Sequence, residues 1–170
     1  MDLQSGQNAP LGAGALRLAL TCAPAGQAPS LDPSAFLLDA AGRVSGDGGF
    51  VFYGQPSDPS GAVRLDPAAA TFELDPGRLP AGIERVVIAL SIDAAVAGLR
   101  AFSQFQSVLM SLTGTGTDLR FPLATAGMIE SALIMAELYL RNGVWKVRAL
   151  GQGFAGGLAP LARNYGVDVS

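Results

Sequence analysis

Asn142-Gly143 constrains this chain more than any other pair of residues, because a two-residue type I′ turn needs positive φ at both central positions and this dipeptide supplies it. The pair sits between two apolar runs, at 128–140 and 144–150. The first run is rich in Leu, Met, Ala and Glu, and propensity alone would make it a helix. The second alternates, with Trp145, Val147 and Ala149 on one side and Lys146 and Arg148 on the other, which is the period of a strand. A hairpin consumes both runs, so both are expected to be strands. Glu137 is then expected to pair across the hairpin with Lys146 or Arg148.

Upstream, strand-like runs at 15–21, 35–38, 50–53, 62–65, 71–74, 85–92 and 107–112 alternate with stretches rich in Gly, Pro and small polar residues at 23–30, 55–61 and 75–82. That spacing is the pattern of a sandwich of short strands. Phe50-Val-Phe-Tyr53 is a continuous apolar run and is expected to be central, covered on both faces. Asp39-Ala-Ala-Gly42 and Asp58-Pro-Ser-Gly61 read as turns. Residues 95–106 read as a loop with a short helix. Gly151-Gln-Gly-Phe-Ala-Gly-Gly157 reads as a glycine-dense turn out of the hairpin. Beyond it, Phe154, Leu158, Leu161 and Tyr165 fall on one helical face. That helix is expected to start near Leu158 and to end at Gly166.

With 170 residues the chain fits one domain, 1–170, and 49% apolar against 15% charged residues marks it as globular. Histidine is absent, which removes the Ser-His-Asp triad and His-ligated zinc. The lone Cys22 allows no disulfide within the chain and is expected to be buried and inert in a strand. A net charge of −3, one lysine and eleven scattered cations without a basic stripe argue against a nucleic-acid partner. Asp2 stands where a signal peptide needs positive charge, and no run of 18 uncharged apolar residues occurs. A soluble, cytoplasmic chain without membrane insertion is therefore expected. Glu130 and Glu137 lie seven apart on an expected strand, hence on opposite faces, and no nucleophile has its base, so an enzyme is not expected.

Ser34-Ala-Phe-Leu-Leu38, Phe50-Val-Phe-Tyr53, Glu137-Leu-Tyr139, Asn142-Gly-Val-Trp-Lys146, Gly151-Gln-Gly-Phe-Ala-Gly-Gly-Leu158 and Tyr165-Gly-Val167 occur in this order from about Gly6 to Val169. In these blocks the chain resembles the tellurium-resistance TerD family, bacterial stress proteins many of which bind calcium. The resemblance implies a mainly β fold, a β-sandwich of two antiparallel sheets with a short C-terminal helix. It also implies a stress-response role among other proteins of the tellurite-resistance system.

The same comparison shows eroded metal positions. An Asp-x-Asp pair is usual ahead of the Ser-Ala-Phe-Leu-Leu block; here Ser30 and Asp32 stand there. Around Phe-Val-Phe-Tyr, Asp47 remains, while Gly49 and Gly54 replace the other acid and an asparagine. In place of a long acidic loop the chain has Leu65-Asp-Pro-Ala-Ala-Ala70, with one carboxylate, Asp66. Calcium takes six to eight oxygens, so a residual site would rest on Asp32, Asp47 and Asp66 with carbonyls and water. The leading expectation is a non-enzymatic binding module with degenerate calcium sites. One alternative is a calcium binder with rearranged ligands; another is an anion or small-ligand site at the glycine-rich turn around Gly153.

Overall fold

The computed structural model describes residues 1–12, 14–23, 31–92, 101–114 and 116–168. All but the first residue of the expected loop at 23–30, and part of the expected loop and helix at 95–106, lie outside them. Two antiparallel sheets pack face to face. The six-stranded sheet runs β1 (Asn8–Pro10), β11 (Val144–Phe154), β10 (Ala132–Arg141), β7 (Arg85–Ile92), β3 (Leu31–Leu38), β4 (Phe50–Val51). The five-stranded sheet runs β5 (Val63–Asp66), β6 (Thr71–Leu74), β2 (Leu16–Ala23), β8 (Ser107–Gly114), β9 (Thr117–Ala124).

Burial follows position in the sandwich. β2 alternates Leu16, Leu18 and Leu20 inward with more exposed residues between, because one face of its sheet meets the core and the other meets solvent. β3 and β7 are buried almost throughout. Their inner residues Leu37, Val86, Ile88 and Leu90 meet the five-stranded sheet. Their outer residues Phe36, Leu38, Val87 and Ala89 lie under α1 (Leu158–Asn164), with Leu161 and Ala162 sealing a second cluster. The helix starts and stops where expected. The Gly166 amide donates to the Arg163 carbonyl at 3.0 Å and Val167 to Ala162 at 2.9 Å, closing the C-terminus.

The hairpin forms as expected, with Arg141 opposite Val144 and positive φ at Asn142 and Gly143. The first strand begins at Ala132 rather than 128, so Glu130 precedes it and the face-parity argument for Glu130 and Glu137 lapses. Nor do the glycines from 151 form a turn: β11 continues through Phe154, and only then does the chain break toward α1, which leaves Phe154 on a strand rather than the helix. Gly151, at φ +65, lies beside a β-bulge where the register of β10 slips between Ile134 and Ala136.

Residues 50–53 depart most from expectation. β4 is two residues long and lies at the sheet edge, pairing Phe50 with Phe36 and Val51 with Ala35. Phe52 and Gln55 close a tight turn by exchanging backbone hydrogen bonds, and Tyr53 at its tip is 66% exposed. The apolar run is satisfied by ring stacking instead of a second sheet face: Phe36 on Phe50 at 4.8 Å between centroids, Phe50 on Phe52 at 4.6 Å. Gln55 Nε2 donates to the Asp47 and Phe50 carbonyls, both at 2.7 Å, and so blunts the open edge.

β1 and β9 were not expected from sequence. β9 alternates in burial but carries Pro122, which an edge strand tolerates, and residues 1–3 run beside it through Leu3 to Arg120 at 2.7 Å. No helix of the described residues is long and apolar enough to cross a membrane.

Candidate functional site

The three aspartates singled out from sequence occupy three different settings. Asp32 lies within β3 opposite Ser91, whose hydroxyl donates to the Asp32 carbonyl at 3.5 Å. Asp47 is exposed at the start of a single 3₁₀ turn, Asp47–Gly49, that leads into β4. Asp66 is the exposed last residue of β5, opposite Thr71, in the other sheet. Among the described residues no three Asp, Glu or Cys side chains come together in a way that could hold a metal ion. The acid that does share surroundings with Asp47 is Asp168, which sequence reasoning passed over. Both line a groove of about 630 Å³ with Val44, Phe50, Phe52 and Tyr53. Asp168 follows the closing helix without any motif of its own, so nothing in the sequence marks it.

Two further aspartates are committed to turn geometry. Asp39 Oδ1 accepts the amides of Ala41 at 2.9 Å and Arg43 at 3.2 Å. Asp58 is buried; its Oδ1 accepts the Val63 amide at 2.8 Å, and its Oδ2 accepts the Ser60 amide at 3.0 Å and the Ser60 hydroxyl. Both border a smaller cavity of about 320 Å³ with Leu37, Gly49 and Pro59. These turns form as the Asp-to-Gly spacing predicts.

The glycine block is built for close packing. A Cβ at Gly153 would stand 2.5 Å from Glu130 Oε1, and one at Gly151 would stand 2.8 Å from the Leu123 side chain. Glu130 therefore lies directly against the strand at Gly153. A carboxylate stands where an anion would have to approach, and α1 has only seven residues and no side-chain cap. The block gives no support to an anion site at Gly153.

On the outer face of the six-stranded sheet, Glu137 is held between Arg148 at 3.1 Å and Arg85 at 3.5 Å. The expected cross-hairpin pair thus forms with Arg148 rather than Lys146, because Arg148 is directly opposite. The Arg148 guanidinium also lies 4.8 Å from the centre of the Tyr139 ring. Tyr165 packs on Phe36, and burial raises its phenol above the ordinary value; Arg85 opposes that shift and Glu137 adds to it. Burial likewise raises the Cys22 thiol, which sits in β2 as expected and is poorly placed to act as a nucleophile.

The family model described as the TerD domain matches residues 1–165. An uncharacterized protein, YceE, of Bacillus subtilis (strain 168) is 38% identical over 151 residues, covering 82% of this chain and 79% of that protein. The tellurium resistance protein TerD of Serratia marcescens is 33% identical over 159 residues, covering 85% and 82%. Among solved structures, a homologue of telluride resistance protein (TerD) from Streptomyces coelicolor A3(2) superposes with a TM-score of 0.68 at 18% identity. That match covers 93% of this chain and all of that one, and it speaks to the fold alone.

Proposed function

The chain belongs to the TerD family, and from that premise we propose that it is a stress-resistance protein of the tellurium-resistance type, a non-enzymatic binding module whose calcium positions are degenerate. It acts in the cytoplasm by engaging other proteins of that system. The resistance role is supported by the name of the Serratia relative. The loss of calcium binding is supported by one observation above the rest: Asp32, Asp47 and Asp66 lie in a strand, at an edge turn and in the opposite sheet, and among the described residues no group of three acids gathers at any of them.

A second reading, calcium held by a rearranged set, has in its favour that Asp47 and Asp168 line one groove. Two carboxylates with carbonyls and water make a weak calcium site. Calorimetric titration with calcium chloride separates the two readings. The leading reading predicts no saturable heat. A saturable isotherm that Asp47→Ala abolishes would overturn it in favour of the second.

A further inference from the structure

We propose that the open half of the outer face of the six-stranded sheet is a docking surface for an acidic segment of a partner protein. The inference rests on the binding-module reading and names the surface and the partner chemistry. Cross-strand partners point to the same side and successive residues alternate. Register therefore places Arg85, Tyr139 and Lys146 in one row across β7, β10 and β11, and Val87, Glu137, Arg148 and Asn8 in the next. Arg141 and Val144 continue the face toward the hairpin tip. Cations that look scattered along the chain are thus gathered by the fold. Four of the eleven share this face with one carboxylate, a local excess of three positive charges on a protein whose net charge is −3. Glu84 is exposed and precedes β7, so it belongs to neither row.

The arginines are held ready. Glu137 lies between Arg85 and Arg148, and Tyr139 supports Arg148 from below. Their side chains remain 42% and 36% exposed. A guanidinium has five N–H donors, so both keep donors for a ligand after bonding Glu137. The Arg85–Tyr139–Lys146 row crosses two strand spacings, about 10 Å, which exceeds the reach of one small oxyanion and suits carboxylates spread along a peptide. Val144, 46% exposed on the same face, adds an apolar contact. The remaining surface is acidic, so a long polyanion or an anionic membrane would be repelled beyond this patch, whereas a short acidic segment would not.

The test is a titration of a fluorescently labelled short oligoglutamate peptide with the full chain, in parallel with phosphatidylserine vesicles and duplex DNA. The parent should bind the oligoglutamate peptide and lose that binding as salt is raised. The Arg141→Glu, Lys146→Glu double variant should weaken it by about tenfold or more. The Arg64→Glu, Arg78→Glu pair, placed around the five-stranded sheet, should leave it unchanged. If the first pair melts below the parent, Arg141→Gln with Lys146→Gln carries the comparison. Absence of binding by the parent would overturn the proposal. So would equal loss in both pairs, or vesicle or DNA binding through this face in place of the peptide. None of these results depends on calcium, so failure here is distinguishable from failure of the proposed function.

Discussion

Glu137 of β10 and Arg148 of β11 meet at 3.1 Å across the closing hairpin, and Arg85 of β7 reaches the same carboxylate from the other side at 3.5 Å. The carboxylate is 12% exposed while the guanidiniums are half open to solvent. The acid therefore ties three strands together beside the edge of α1, and it is the only acid in the outward rows of those strands.

Removing that acid leaves two neighbouring cations without their shared counter-charge. Breaking a fully buried pair costs about 3–5 kcal/mol, and solvent around the arginines reduces this to about 1–2 kcal/mol. Glu137→Ala should lower stability by that amount in urea unfolding. A double-mutant cycle with Arg148→Ala should return a coupling of about 0.5 kcal/mol or more; additivity within error would remove the pair from the account.

An added Cβ at Gly153 would stand 2.5 Å from Glu130 Oε1, so the Glu130 side chain would have to move aside. Gly153→Ala should destabilise the chain by no more than about 1 kcal/mol, and adding Glu130→Ala should recover most of the loss. A cost that persists in the double variant would mean the backbone, not the carboxylate, is the constraint.

The closing hairpin, the helix from Leu158 and the strand at 85–92 were legible because each carries a local signal: a turn dipeptide, a period or a flanking breaker. Residues 50–53 misled because a continuous apolar run does not distinguish burial between sheets from stacking of Phe36, Phe50 and Phe52 at an edge. The strand at 117–124 was obscured by Pro122, which only its edge position makes tolerable. Surface patterns were the least legible. The cations of the outer face and the groove shared by Asp47 and Asp168 depend on register and chain crossing, which no window of sequence contains.

Ser34 is buried in β3 on the side of Phe36, and its hydroxyl makes no hydrogen bond among the described residues. A buried, unsatisfied hydroxyl costs about 1–3 kcal/mol. Ser34→Ala should therefore be neutral or raise the unfolding midpoint, whereas loss of about 1 kcal/mol would show that the hydroxyl is bonded in solution.

Cys22 and Tyr165 are both acids that burial keeps protonated, with values raised above the ordinary 9.0 and 10.0. The folded chain holds these protons where the unfolded chain has released them. Their contribution is whole below the unfolded values and is lost as pH rises through the folded ones. Stability should be level just below pH 9 and fall above it, and Tyr165→Phe with Cys22→Ala should flatten that fall. An unchanged alkaline slope in the double variant would contradict the assignment.

If this scaffold folds and works without calcium, its thermal unfolding, followed by Trp145 fluorescence, is indifferent to the metal. Trp145 packs against the main core from β11, so its signal reports the sandwich itself. The midpoint should be the same in chelator and in millimolar calcium. A ligand at about a hundred times its dissociation constant would add roughly 2.7 kcal/mol, or about 5–10 °C for a domain of this size. A rise of that order would show that calcium binds and would point to the groove shared by Asp47 and Asp168.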